Sequence, residues 1–325
     1  MTEEVNISGL NETSPNEQKA AVLLDANEKL RGSLGQLLVG TGIGISISDS
    51  QELAALGFGQ AHQQDASVEF ARYLLANGAS IHYGGDLRQE GYTDLFYGLA
   101  NYYGSAGQAH PLVHSYLAWP IYLDLDTETQ AKLKRRVAFY RIAPPDDLTL
   151  SIHERLPPTT AANRYIWARS LTRMREQMNQ AVQARIFIGG SETRYVGAQP
   201  GLLEEGMLAL QADKPTYLIG AFGGITRRLI ESLQDTGAAQ ISNLPVKFDD
   251  LGRETLAYYN GHPPNAVPLD FAAIQRFLNG YGLARLAQNN CLSQAENERL
   301  FVTPHLMEMI NLVLTGLARL KRREA

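Results

Sequence analysis

The sequence predicts an α/β protein: a parallel β-sheet flanked by helices, with helical extensions at both ends of the chain. Three observations carry this expectation. The β-branched and glycine-rich stretch Leu37 to Ile47 is followed by a helical pattern, His62 to Asn77, and then by a short apolar strand, Ala79 to Tyr83. That is the spacing a right-handed parallel crossover requires. The same logic repeats between Leu171 and Ile219, and three of the predicted strands run straight into glycine turns: Gly84-Gly85, Gly189-Gly190, and Gly220 with Gly223-Gly224. A fourth strand ends in Ser48-Asp49-Ser50.

Taken in order, residues 1 to about 17 are polar and acidic and read as a loose arm. Asn16 to Arg31 then places Ala20, Leu23, Leu24 and Leu30 near helical spacing, with Gly32 as a stop. In the helix His62 to Asn77, Val68, Ala71, Leu74 and Leu75 share one face, and Gly78 closes it. Thr93 to Tyr103 reads as a helix, Leu112 to Leu123 as containing a strand bounded by Pro120, and Thr127 to Arg141 as a charged amphipathic helix. The proline-rich segment from Pro144-Pro145 to Pro157-Pro158 is a connection. Leu171, Met174, Met178 and Val182 step along a helix that leads to the strand Ala184 to Ile188. Pro200-Gly201 opens a helix, Leu202 to Ala212, and Pro215 to Ile219 is the next strand. Beyond Gly224 the pattern is helical, clearest over Asp270 to Leu286 and Pro304 to Lys321. The expected division is an N-terminal arm and helix (1–36), a ligand-binding domain (37–235) and a mostly helical extension packed on it (236–325).

Composition narrows the classes of function. The chain has 325 residues, is 44% hydrophobic and 19% charged, and contains no apolar run of membrane-spanning length. Its start lacks the basic and apolar stretches of a secretory signal, so a cytoplasmic location is expected. Cys291 is the single cysteine, which excludes an internal disulfide, and the seven histidines show no metal-site spacing. No metal and no cofactor are expected. A net charge of -5 with interspersed signs offers no footprint for a nucleic acid. The expected partner is a small molecule.

In open parallel sheets the ligand crevice lies beyond the carboxyl ends of the strands. Glycine there admits positive φ and close approach of a phosphate, and a following helix start adds free N–H donors. This makes Gly84, Gly85, Gly189, Gly190, Gly220, Phe222, Gly223 and Gly224 candidate ligand-binding residues, together with Ser48, Asp49, Ser50 and Asp86. Arg169 and Arg173, four residues apart on one helix, and Arg88 beside the Gly84-Gly85 turn are candidates for holding phosphate or carboxylate. Each also has a plainer reading, since glycines turn corners and arginines line solvated faces. Glu204 and Glu205 fall in the first turn of a helix, where the dipole alone favours a carboxylate. One of them remains available for a ribose hydroxyl or for general acid–base work.

Taken together, Gly44-Ile45-Ser46-Ile47-Ser48-Asp49-Ser50, the Tyr83-Gly84-Gly85-Asp86 loop, the Arg173-Met174-Arg175 helix and the Gly197 to Glu205 turn resemble the SLOG superfamily over roughly Leu37 to Leu229. That superfamily unites cytokinin-activating phosphoribohydrolases of Lonely Guy type, DNA-processing proteins and nucleotide-sensing domains of bacterial defence systems. The resemblance implies a Rossmann-like fold and a ligand built on a nucleoside phosphate or ADP-ribose. In the Lonely Guy signature it aligns Gly201 with the later glycine, Glu205 with the glutamate and Arg173 with the arginine of the preceding helix. Gly197 replaces the signature's proline, Ala198-Gln199 its glycine pair, and Leu202 its threonine. Losing that hydroxyl and two permissive backbone positions weakens a phosphate cradle of that shape.

The pattern is therefore closer to the sensor branch. The leading expectation is a binding or sensing protein for ADP-ribose, a cyclic relative or a similar signal, in signalling or antiviral defence. It would act as a homo-oligomer, in the simplest case a homodimer, or through a separate effector protein, without nucleic acid or membrane. The alternative is an N-glycosyl hydrolase acting on a nucleotide, with Glu205 and Arg173 as its catalytic residues. A scaffold that has merely kept the fold is the third reading.

Overall fold

The computed structural model describes residues 37–324 apart from 86, 89, 104–109, 194, 235–247 and 263–266. The expected N-terminal arm and helix, and Asp86, lie outside the described residues. Six strands form the sheet: β1 (Gly42–Ser48), β2 (Ser80–Gly84), β3 (Val113–Ala118), β4 (Val137–Ile142), β5 (Ala184–Gly189) and β6 (Thr216–Ile219). Every pairing is parallel, and the order is β4-β3-β2-β1-β5-β6. The chain therefore builds outward from β1 to β4, then returns to lay β5 on the other side of β1. The strand order reverses between β1 and β5, where Ser48 stands opposite Gly189.

The helices are α1 (Gln60–Ala76), α2 (Tyr92–Tyr103), α3 (Thr127–Leu133), α4 (Ala161–Ala181), α5 (Gly201–Gln211), α6 (Gly224–Gln234), α7 (Asp250–Asn260), α8 (Phe271–Asn290), α9 (Gln294–Val302) and α10 (Leu306–Glu324). Period-2 alternation in β1 divides them between two faces. Ile43, Ile45 and Ile47 join a core with Phe70 and Leu74 of α1, Phe96 of α2 and Ile310 and Val313 of α10. On the opposite face, Leu171, Met174 and Met178 of α4 cover Tyr116, Ala118 and Ile142. Leu203, Leu229 and Leu278, from α5, α6 and α8, cover Phe187 and Leu218. On this second face β1 presents only Gly42, Gly44, Ser46 and Ser48. A Cβ at Gly44 would meet Arg185 Cγ and Nε at 3.3 Å, so the strand stays small where a buried arginine crosses it.

Two local features depart from the sequence-based expectation or extend it. The helix expected over Thr127 to Arg141 stops at Leu133, and Val137–Ile142 is instead β4, the outermost strand. Its apolar residues fit either period, but six residues pair with β3 from Val113↔Val137 to Ala118↔Ile142, and that long-range ladder decides the matter. At the other edge, the side chain of Asn289 accepts the Thr216 N–H at 2.9 Å and Asn290 Nδ2 donates to the Thr216 carbonyl at 2.9 Å. The C-terminal helices thus satisfy backbone groups that an open edge would expose.

Candidate functional site

Where β1 and β5 end side by side, their turns are knitted together by polar groups. Gln63 Nε2 donates to the Ser48 carbonyl at 2.8 Å, the Ser191 N–H donates to Ser48 Oγ at 3.0 Å, and the Glu192 N–H donates to Gln51 Oε1 at 3.1 Å. Ser50 is buried, and its Oγ accepts the Glu52 N–H at 3.2 Å. Gly189, Gly190, Gly223 and Gly224 all have positive φ. The space left by their missing side chains is taken up by protein. A Cβ on Gly189 would lie 2.2 Å from Gln63 Nε2, and one on Gly224 would lie 2.2 Å from the Gly190 carbonyl. These glycines let α6 begin directly against the end of β5, and the Ile225 N–H donates to the Gly190 carbonyl at 3.1 Å. The start of α6 already holds an anion: Glu52 accepts the Gly224 N–H at 3.0 Å and pairs with Arg228, which also binds Glu192 at 2.7 Å and Glu231 at 2.9 Å. Asp49 accepts from the Tyr92 hydroxyl at 3.0 Å. Burial first, and then the charge of Asp49, raise the Tyr92 pKa well above that of an ordinary phenol. Arg88 is exposed, near enough to Tyr92 to oppose that shift.

Glu204 and Glu205 belong to a different place, beneath the sheet. Glu205 is buried, 5% exposed. Ser46 Oγ donates to its Oε2 at 2.6 Å, Arg185 pairs with the same oxygen, and Arg175 Nε stands 3.6 Å from Oε1. Arg185 has no solvent exposure, and burial, the largest influence, lowers its pKa while Glu205 pulls it back up. Glu204 binds Arg175 and accepts from Thr172. Two guanidiniums and two carboxylates thus neutralise each other across β1, β5, α4 and α5. The structure brings Arg175 to Glu205, whereas Arg173 donates to the Pro144 carbonyl at 2.7 Å and to Asp146 at 3.1 Å. Arg175 also fills the start of α5, because a Cβ on Gly201 would meet its NH2 at 2.7 Å. Gly197 lies in the same turn, with the nearer Arg175 NH1 3.9 Å from its Cβ position.

A cavity of about 900 Å³ opens between α4, α5, the end of α7 and the start of α8. Arg169, Thr172, Arg173 and Glu176 line it from one face of α4, and Gln199 and Glu204 line it from the entry to α5. Tyr259, Leu269 and Phe277 supply apolar wall, and Asp146 and Asp147, from the connection after β4, stand at its edge. Arg169 grips Asp147 through two bonds, at 2.9 and 3.1 Å, and donates to the Tyr165 hydroxyl at 2.9 Å. Glu176 is raised above the usual carboxylate range by burial and then by the charge of Glu204, with Arg169 and Arg173 opposing. Burial, followed by the same Glu204 charge, pushes the Tyr259 hydroxyl up to about 12. Gln199 is 9% exposed, and its Oε1 has no hydrogen-bond partner.

The residues singled out in the sequence therefore fall into separate groups. Ser48, Asp49, Ser50, Gly189, Gly190, Gly223 and Gly224 meet at the reversal of strand order. Arg169 and Arg173 face the cavity, and Glu205 belongs to the buried ionic cluster. Gly84 packs on Met174, whose Sδ would be 2.7 Å from an added Cβ, and Gly85 packs under the Tyr83 ring. Gly220 abuts the Phe301 carbonyl, and Phe222 is buried against Phe58 with ring centroids 5.2 Å apart. Sequence reasoning passed over Arg175, Gln199, Thr172 and Tyr259. Arg175 carried a signal, since Arg173 and Arg175 cannot share a helix face and one of them had to turn inward. Gln199 carried none beyond standing where a glycine was expected.

Among the described residues no helix is long and apolar enough to cross a membrane. The family model of SLOG cluster2 matches residues 37–300, which include the whole sheet and run into α9. A search of the curated proteins finds no match.

Proposed function

The chain belongs to the SLOG cluster2 family, which gives it a nucleotide-related role at the level of the superfamily, and we propose that it binds and senses a nucleotide-derived small molecule such as ADP-ribose or cyclic ADP-ribose. The observation that carries this reading is the cavity beside α4. Its volume of about 900 Å³ lies within the range of small-molecule sites, and apolar walls surround a few convergent polar groups. Arg169 and Arg173 are its anion-binding groups. The partner of Arg173 is exchangeable, since the Asp146 side chain is 91% exposed, whereas Arg169, 11% exposed, is held by Asp147 in a bidentate pair that a ligand must outcompete. An exposed ion pair such as Arg173–Asp146 contributes about 0–1 kcal/mol, so a phosphate that offers bidentate geometry takes the place of Asp146.

The glycine turns at the strand-order reversal serve chiefly to seat α6 on β5. The buried cluster around Glu205 is fully matched in charge and holds α5 to the sheet, which favours binding without hydrolysis. The occupied state acts in signalling or antiviral defence through a separate effector protein or through association of copies of this chain.

Thermal unfolding of the full chain with ADP-ribose, cyclic ADP-ribose, AMP and NAD tests the proposal. Ligand at one hundred times its Kd stabilises by about 2.7 kcal/mol. At about 2 °C per kcal/mol for a chain of this size, the melting temperature rises by roughly 5 °C. Arg173→Ala and Arg169→Ala should abolish that rise. If none of these compounds shifts the melt, the chain is a scaffold and the binding proposal is wrong.

A further inference from the structure

Gln199 stands in the turn that leads into α5, directly before Pro200, the residue that caps the helix. It lines the cavity, nine-tenths buried, and its side-chain oxygen is itself buried and has no hydrogen-bond partner. A buried acceptor without a donor is destabilising, and native structures keep few of them. Its neighbours do not supply what it lacks. Five carboxylates line the cavity, from Asp146, Asp147, Glu176, Glu204 and Asp270, against the two guanidiniums of Arg169 and Arg173. Thr172 donates to Glu204, and both arginines are held by the aspartates. The lining is therefore rich in acceptors and short of donors, with one acceptor deeply buried.

We propose that Gln199 is the specificity-determining residue of this cavity, taking the NH2 group of an aromatic ring carried on a ribose phosphate. This rests on the ligand site proposed above. The phosphate end meets Arg169 and Arg173, the ring lies against Tyr259, Leu269 and Phe277, and the NH2 group donates to Gln199 Oε1. A side-chain amide suits such a group because it pairs an acceptor with an adjacent donor, the arrangement with which glutamine reads adenine. Among the ligands proposed above, two ring systems carry that chemistry, the 6-amino group of adenine and the carboxamide of nicotinamide. Uracil and hypoxanthine lack it.

Titration calorimetry on the full chain with two matched pairs of mononucleotides separates these sources. AMP and IMP differ at the 6-amino group, and nicotinamide mononucleotide and nicotinic acid mononucleotide differ at the carboxamide. In at least one pair the amino-bearing member should bind about tenfold or more tighter, the scale of one buried hydrogen bond. Gln199→Leu should erase that preference while keeping the weaker phosphate-dependent binding. Gln199→Glu, which keeps the acceptor, should retain it. Because the amide has no partner to lose, Gln199→Leu should melt at or above the wild-type temperature, so loss of preference is not loss of fold. Equal binding within both pairs overturns the role of Gln199 while leaving the ligand site standing. Binding of none of the four removes both.

Discussion

Replacing Glu205 with Ala removes the anion that faces Arg185, a guanidinium with no solvent exposure. Ser46 and Asn179 remain as partners at 3.0 and 3.3 Å, but both are neutral. Breaking a buried ion pair by deleting one partner costs about 3–5 kcal/mol, because the other charge is left uncompensated. At about 2 °C per kcal/mol, the melting temperature should fall by roughly 6–10 °C. The double variant Arg185→Met with Glu205→Leu removes both charges, and apolar replacement of a whole pair is often neutral or better. It should recover most of the loss. Equilibrium unfolding in urea, followed by circular dichroism, gives both values. If Glu205→Ala costs less than about 1 kcal/mol, or if the double variant is no more stable than the single one, the assignment of Glu205 to a structural cluster is wrong. The same preparations decide the hydrolase alternative. Wild-type protein incubated with AMP should release no adenine, and release that disappears in Glu205→Gln would give this residue a catalytic role.

Further expectations concern other parts of the molecule. His82, hydrogen-bonded to the Tyr116 hydroxyl at 3.2 Å and stacked on His114, is lowered from 6.5 to about 3 by burial and then by the charges of His114 and Arg185. The unfolded chain takes up this proton first as pH falls, so stability is complete above pH 6.5 and is lost as pH drops towards 3. Between pH 7 and 5 the loss should be about 2 kcal/mol, and urea midpoints should show a flatter pH profile in His82→Gln. Asp147→Asn frees Arg169 from a competing carboxylate, so an anionic nucleotide should bind more tightly to this variant by calorimetry, whereas weaker binding would make Asp147 part of the ligand's own contacts. Gly224→Ala places a Cβ 2.2 Å from the Gly190 carbonyl at positive φ and should destabilise by about 1–3 kcal/mol in the same urea assay. Asn290→Ala breaks bonds to the Thr216 carbonyl and the Leu292 N–H and should cost about 1–3 kcal/mol. No change there would mean that the Asn290 amide is not needed to hold the β6 edge.

Periodicity and turn residues made much of the architecture legible. The strands Ile43 to Ile47 and Ile186 to Ile188 announce themselves by β-branched content, and their termination by Ser48 and Gly189 is written beside them. β4 was not legible, because Val137 and Phe139 alternate as in a strand while Phe139 and Ile142 stand three apart as on a helix, until β3 offers a partner. The same limit governs the site. That Arg169 and Arg173 share a helix face follows from 3.6 residues per turn, and both do line the cavity. Which arginine meets Glu205 depends instead on how α4 rotates against β1 and α5. That rotation, set by Met174 and Met178 packing on Tyr116 and Ala118, turns Arg175 inward.

The sequence by itself determined the α/β class, the run of strands into glycine turns and the family, since these are properties of neighbouring residues read at a fixed period. Only the tertiary structure decided that the glycines at the strand ends are filled by Gln63, Glu52 and the Gly190 carbonyl, and that Gln199, with an unpartnered buried oxygen, lines the cavity. The physical reason is that a missing side chain leaves a gap in the sequence whichever atoms come to occupy it. Whether the occupant is a ligand or another part of the chain is set by contacts between residues from tens to more than a hundred positions apart, which no local pattern encodes.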